Sequence, residues 1–429
     1  MSTLQRRTSV ARLLAVGSLL LLSLPPWVSA QAACTSIVPP GPVLGTWFVS
    51  GSPYCITGDV QITSLTIEPG VEVLIDGAFQ IEVLSDITAI GTAANPISFS
   101  ARDPAVPWKG LKFSNTPPGS NFTHCIIEHS EDSAISLVNT APPIIDHVLF
   151  RDNSTSTFGG AINADGVSGN FALADSVFSA NSSASHGGAL RVNMDPGLTF
   201  TITNSLFENN TANPARSTGN RVGGALWLES ADNTVISNSR FIGNRNNARC
   251  TATFNCNVIA RGGAIYLGSS GTVSIENNEF VSNQSDALNQ GNCFFGGISQ
   301  SFGAGLYVNS GTVTLANNFF SCNTTTRTNC GPSDGGGGFY VNGGSVTAAN
   351  NTIARNADAT GVALAGGTLE IANSIIYNNN GDGTQVGGRL QSHTPMSRAV
   401  MKVKGTSILT RYSRAQDASP ATSAFFRSA

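Results

Sequence analysis

One phrase recurs along this chain: a large apolar residue, two variable residues, then asparagine. It reads FRDN at Phe150–Asn153, FSAN at Phe178–Asn181, FENN at Phe207–Asn210, FIGN at Phe241–Asn244, FVSN at Phe280–Asn283 and FSCN at Phe320–Asn323. Two later copies begin with isoleucine, at Ile353–Asn356 and Ile376–Asn379. A second phrase, Gly-Gly-Ala-Ile/Leu, alternates with it at Gly159–Ile162, Gly187–Leu190, Gly223–Leu226 and Gly262–Ile265. With Ile127 as the first anchor, the gaps between anchors are 23, 28, 29, 34, 39, 40, 33 and 23 residues. Repeats of this length mean supersecondary units stacked on one another, because no single unit can bury its own apolar face. The shortest gap is too short for a propeller blade of about 40–45 residues. It suits one coil of short strands and turns.

Within each coil the hydrophobic period is two. Leu198, Phe200 and Ile202 alternate with Thr199 and Thr201, and Val273 and Ile275 with Thr272 and Ser274. That is the pattern of strands with one buried and one wet face. Coils stacked about 4.8 Å apart would pair each strand in parallel with its copies. The phenylalanines would then form an internal stack, and the closing asparagines a ladder of side-chain amides at one corner. The asparagine is also expected to take the left-handed backbone of that corner, and the Gly-Gly pair to make another. The extra residues of the longer gaps, rich in Asn, Ser, Gly and Arg, read as outer loops. The expected fold is all-β: a single-stranded right-handed parallel β-helix of roughly eleven or twelve coils with an N-terminal cap.

The chain divides accordingly. Residues 1–30 read as a secretory signal: Arg6, Arg7 and Arg12 precede the apolar run Leu13–Leu24 and the small-residue site Val28-Ser29-Ala30. Residues 31–55 read as the cap, 56–386 as the β-helix, and 387–429 as a non-repeat basic tail. An exported chain with eight cysteines suits disulfides. Cys34 and Cys55 are expected to tie the N-terminal end, and Cys250 and Cys256 to close a small loop. Cys125, two residues before the inward Ile127, reads as a buried free thiol. Residues 31–386 carry 13 basic and 25 acidic side chains, a balance of −12. That argues against a nucleic-acid partner, which needs a basic footprint. No integral membrane segment is expected beyond the signal.

The paired phrases GGA[IL] and FxxN resemble the repeats of the polymorphic outer membrane proteins. More broadly, residues 45–386 are similar to secreted right-handed β-helix proteins of the pectate-lyase-like superfamily, whose opening coils ITGDV…LTIEPGVEV…AIGTAANPISFS resembles. The resemblance implies a secreted or surface-exposed β-helix acting as an adhesin or saccharide-binding module. The same fold also hosts polysaccharide lyases and hydrolases. A stalk without ligand is the third class. The polymorphic family ends in a membrane barrel, and no series of alternating ten-residue segments follows here.

After Gly388 the repeat grammar is lost. Codons compatible with residues 392–413, read one frame away, can spell YSNVQGGYEGEGNIDLDPLF, which resembles a closing segment of such β-helices. A frameshift near Gly387-Gly388 is therefore expected, with a plain basic tail as the alternative.

Candidate chemistry is sparse. The residues following Ala-Ile/Leu form a column, Asn163, Arg191, Trp227, Tyr266, Tyr307, Tyr340, whose sequence neighbours point inward. Trp227, Tyr266, Tyr307 and Tyr340 are thus expected to face out as a stripe on which sugar rings could stack. A structural ladder of cross-strand aromatic pairs is the alternative. Ile145-Asp146-His147 has only a faint likeness to a lyase phrase. Asp146, Asp152, Asp165 and Asp175 appear spread over coils, and His186 reads as a lone histidine. No Ser/His/Asp order, metal-ligand spacing or phosphate loop is present, so no catalytic residue, metal or cofactor is assigned. A polysaccharide or cell-surface glycan is the expected partner.

Overall fold

The computed structural model describes residues 33–212, 219–250, 257–289, 298–328, 335–357, 360–379, 386–388, 400–404 and 407–409. The chain winds as a right-handed parallel β-helix with three rows of strands. One row is a sheet of fourteen parallel strands running from Ser36–Val38 to Ser407–Leu409, and it contains the FxxN phrases. The other two rows carry the GGA[IL] strands and the strands that follow them. Leu226–Ser237 and Ile265–Glu276 each run through both rows and join them into one sheet.

Among the described residues this row holds fourteen strands, against the eleven or twelve coils expected. The difference lies at the ends. Ser36–Val38 and Tyr54–Ile56 are already rungs of the sheet, joined by the Cys34–Cys55 disulfide, so the segment expected as a cap follows the coil. Beyond residue 387, Val400–Lys404 pairs with Thr368–Ala372 and Ser407–Leu409 with Ile375–Tyr377. Strands therefore continue where a patternless tail is expected. Most of residues 392–413, on which the frameshift reading bears, lie outside the described residues.

The core is built as the alternation requires. Phe150, Phe178, Phe207, Phe241, Phe280 and Phe320 are fully buried. They stack ring on ring at centroid distances of 4.9, 4.5, 4.9, 5.1 and 4.6 Å, with planes within 11° of parallel. Each buried ring removes a large apolar area from water, stabilising by roughly 1.5–3 kcal/mol. Cys125 is buried and free, as expected. Its burial pushes the thiol up to about 12, opposed by a backbone hydrogen bond at Thr123. Cys250 is disulfide-bonded; Cys256 lies outside the described residues.

The closing asparagines form the ladder. Asn153, Asn181, Asn210, Asn244, Asn283, Asn323, Asn356 and Asn379 are all fully buried. Each of the first seven donates from Nδ2 to Oδ1 of the next, at 2.8–3.0 Å. Each Nδ2 also donates to a carbonyl of the preceding coil, as Asn283 does to Phe241 at 2.8 Å. Each Oδ1 from Asn181 onward also accepts the backbone N–H of the asparagine before it, as Asn283 does from Asn244 at 3.0 Å. Every polar atom of these buried amides is thereby paired. The left-handed residue of the corner, however, is the one before the asparagine: Asp152, Ala180, Asn209, Ser282, Cys322, Arg355 and Asn378 have φ of +53° to +60°. The position tolerates varied residues because its side chain points away from the core.

A second ladder precedes each phenylalanine. The N–H groups of Ser176, Ser205, Ser239, Asn278, Asn318 and Asn351 each donate to the side-chain oxygen of the equivalent residue one coil on. At the Gly-Gly corner the two glycines have different tasks. Gly223 takes φ +65°, whereas a Cβ on Gly224 would lie 1.9 Å from the Gly263 carbonyl oxygen of the next coil.

Among the described residues the long gaps hold strands where outer loops are expected. Arg245–Cys250, Gln284–Asn289 and Thr324–Arg327 extend one parallel sheet, and Arg221–Val222, Asn257–Arg261 and Ile298–Phe302 form another. Together they make a flange with its own small core of Ala248, Cys250, Val258, Ala260 and Ala287. The buried Asn246 amide, donating to the carbonyls of Arg221 and Arg261 at 2.9 Å each, ties the flange to its root.

Candidate functional site

The column after Ala-Ile/Leu is in register as read: Asn163 opposes Arg191, then Trp227, Tyr266, Tyr307 and Tyr340 follow on successive coils. Their side chains lie outside the solenoid core. They do not form an open stripe. Tyr266, Tyr307 and Tyr340 stack on one another at 5.2 Å per step, with planes 11° and 12° apart. Rings stacked along the helix axis cover each other's faces, so a ligand alongside would meet their edges. Tyr307 retains only 2% of its surface, covered from the side by the flange. Burial, first of all, raises its phenol well above the usual range, with Arg261 opposing.

The flange strands add what the sequence reading missed. Arg261 brings its guanidinium 5.8 Å from the centre of the Tyr307 ring, and Phe302 packs at 4.7 Å and a 41° tilt against Tyr340. Between flange and ladder lies a cavity of about 240 Å³ lined by Arg261, Gln300, Phe302, Tyr307, Tyr340, Asn342 and Ala365. Arg261, Gln300 and Phe302 come from the last residues before the Gly-Gly or Gly-Ala corner. Their signal was a position at fixed distance from that corner, inside segments whose polar composition resembled loops.

Trp227 sits among different partners. Its ring and that of Phe158 each lie 5.1 Å from the Arg191 guanidinium carbon. Arg191 is held by Glu229 at 2.6 Å and by Asp165 at 3.0 Å, so both carboxylates are tied to one cation. Burial pushes the Asp165 carboxyl up, but hydrogen bonds from Asn193 and Arg191 outweigh it and hold the group below its usual value. His186 is not alone. It stacks on Phe158 at 5.6 Å, meets Trp227 edge to face, and accepts the Val222 N–H at Nδ1. Burial, with Arg221 and Arg191 nearby, pushes it down to about 4. The imidazole is neutral at pH 7.

The aspartates are also not all scattered. Asp146 and Asp175 come together with His147, one donor atom from each within 4.8 Å of the others. Asp165 lies instead at Arg191, and Asp152 occupies a left-handed corner position. Among the described residues no helix is long and apolar enough to cross a membrane.

A family model described as a right-handed beta helix region matches residues 248–392. Among curated proteins nothing matches the chain. Two solved structures are similar, both from Azotobacter vinelandii. The A-module of mannuronan C-5 epimerase AlgE4 has 12% identity and a TM-score of 0.31, covering 87% of this chain and 90% of its own. The A-module of mannuronan C-5 epimerase AlgE6 has 13% identity and a TM-score of 0.29, covering 86% and 90%.

Proposed function

We propose that this protein is an exported, non-catalytic β-helix that binds saccharide in the cleft between the flange and the tyrosine ladder. The observation that carries this reading is the cavity itself, where Arg261, Gln300 and Asn342 place polar groups beside the rings of Phe302 and Tyr340. At about 240 Å³ it is smaller than the roughly 300–1,000 Å³ of pockets that enclose a whole drug-sized ligand. It suits one ring of an extended polymer lying along the coils. Arg261 favours a carboxylate-bearing sugar over a neutral one, through paired N–H donors.

The test is retention on native gels cast with polygalacturonate, with a neutral glucan as comparison, alongside a glycan array. Arg261→Ala and Gln300→Ala should lose retention while melting as the parent does. Replacing Tyr266 or Tyr307 is the poorer probe, because it removes the ladder as well. Retention that survives both substitutions, or an array that stays blank, overturns the reading. Appearance of reducing ends or unsaturated products would place the protein with the lyases and hydrolases instead.

A further inference from the structure

We propose that Asp146, His147 and Asp175 form a binding site for a zinc-type divalent cation at one corner of the solenoid, away from the saccharide cleft. The corner is a column of left-handed residues, one per coil. Asn204, Asn238, Asn277, Asn317, Asn350 and Asn373 fill six consecutive coils with φ of +49° to +59°. The three coils before them carry His124, His147 and Asp175 at the same position, with φ of +50°, +53° and +48°. Asparagine satisfies the backbone there six times over. The change to imidazole and carboxylate on contiguous coils therefore needs another cause.

Strand pairing sets Asp146 opposite Ala174, which brings Asp175 beside His147 from the next coil. The His147 Nδ1 and Asp146 Oδ1 atoms stand 3.0 Å apart, and a carboxylate oxygen of Asp175 completes a set within 4.8 Å. Donors bonded at about 2.0–2.2 Å to one zinc ion lie roughly 3–3.5 Å from one another. Asp146 and His147 already meet that spacing, and the exposed Asp175 carboxylate closes it by turning about its own side-chain bonds. Among the described residues no lysine or arginine pairs with Asp146 or Asp175. Two neighbouring carboxylates then have His147 alone at hydrogen-bond distance and no lysine or arginine to offset them, whereas a divalent ion supplies two charges. Two oxygens and one nitrogen suit zinc and its neighbours, and the half-exposed position leaves room for water as further ligand. The His124 ring, its centre 4.5 Å from that of His147 and its plane tilted 42° to it, packs against the imidazole from the preceding coil.

The experiment is equilibrium dialysis of the untagged chain against Zn²⁺, with Co²⁺ absorption as an independent readout. The comparison variants are His147→Asn and Asp175→Asn, which install the residue the other coils use and so keep the corner. The parent should bind one Zn²⁺ saturably, and its Co²⁺ spectrum should lack a thiolate charge-transfer band. Each variant should weaken binding by at least about tenfold, since even outer partners of metal ligands cost 10–100-fold. The proposal is overturned by absence of saturable binding, by equal binding in the double variant, by a thiolate band, or by preference for Ca²⁺ over Zn²⁺.

Discussion

Asn283→Ala cuts the asparagine ladder at its middle. The Asn283 side chain donates to Asn323 Oδ1 at 2.9 Å and to the Phe241 carbonyl at 2.8 Å. It accepts the N–H and the side-chain amide of Asn244, both at 3.0 Å. Alanine would leave two Asn244 donors without an acceptor and take one donor from Phe241, all in a fully buried corner. Each unsatisfied buried group costs about 1–3 kcal/mol, so the expected loss from the three is about 3–9 kcal/mol. That is a large part of the roughly 5–15 kcal/mol that holds a domain folded. Asn283 keeps its own N–H bond to Asn323, so the damage should fall on the Asn244 side of the cut. Ser282→Ala is the control. Ser282 is exposed with φ +57°, and Ala180 already occupies the same corner position at +54°, so its effect should stay within about 0.5 kcal/mol. Urea unfolding gives the global loss, and amide hydrogen exchange at Asn244 gives the local one. A midpoint shift worth less than about 1 kcal/mol, with the Asn244 amide still protected, would refute the claim that the ladder is energetically coupled.

Two further outcomes are expected. His186, held near 4 when folded by burial and by Arg221 and Arg191, ionises near 6.5 when unfolded. Its depressed value means that stability is fully present above about pH 6.5 and falls as pH drops through about 4, by up to roughly 3 kcal/mol. His186→Gln should flatten that part of a urea-midpoint profile against pH; an unchanged slope would count against it. Gly224→Ala drives a Cβ to 1.9 Å from the Gly263 carbonyl oxygen and 2.6 Å from the Arg245 backbone, so the coils must part. The substituted chain should lose more than about 3 kcal/mol or fail to fold, and a parental urea midpoint would show the close approach to be dispensable.

What was legible in the sequence follows from what stacking does to residues. In an in-register solenoid a side chain meets its own counterpart one coil away, so a column stays identical where only like pairs with like. Phenylalanine rings stack best on phenylalanine, and an asparagine amide is the donor-acceptor match of another; those columns could be read directly. The second ladder was harder to see because Ser176, Ser205 and Ser239 give way to Asn278, Asn318 and Asn351. Both residue types offer an oxygen to a backbone N–H, so the chemistry is constant while the letter changes. The flange escaped for a different reason. Among the described residues its core is five small side chains, too few to give a segment of Asn, Ser and Arg a hydrophobic signature. Alternation likewise gave the outward direction of Tyr307 but could not say that Phe302 and Arg261 would stand beside it. A column bound to match its neighbours has little freedom to do anything else, since each change is felt by the coils above and below. Ligand chemistry therefore has room where a column departs from itself: Arg191 giving way to Trp227, or asparagine replaced by His147 and Asp175. Those departures, rather than the repeats that frame them, are where substitutions should change binding without changing the fold.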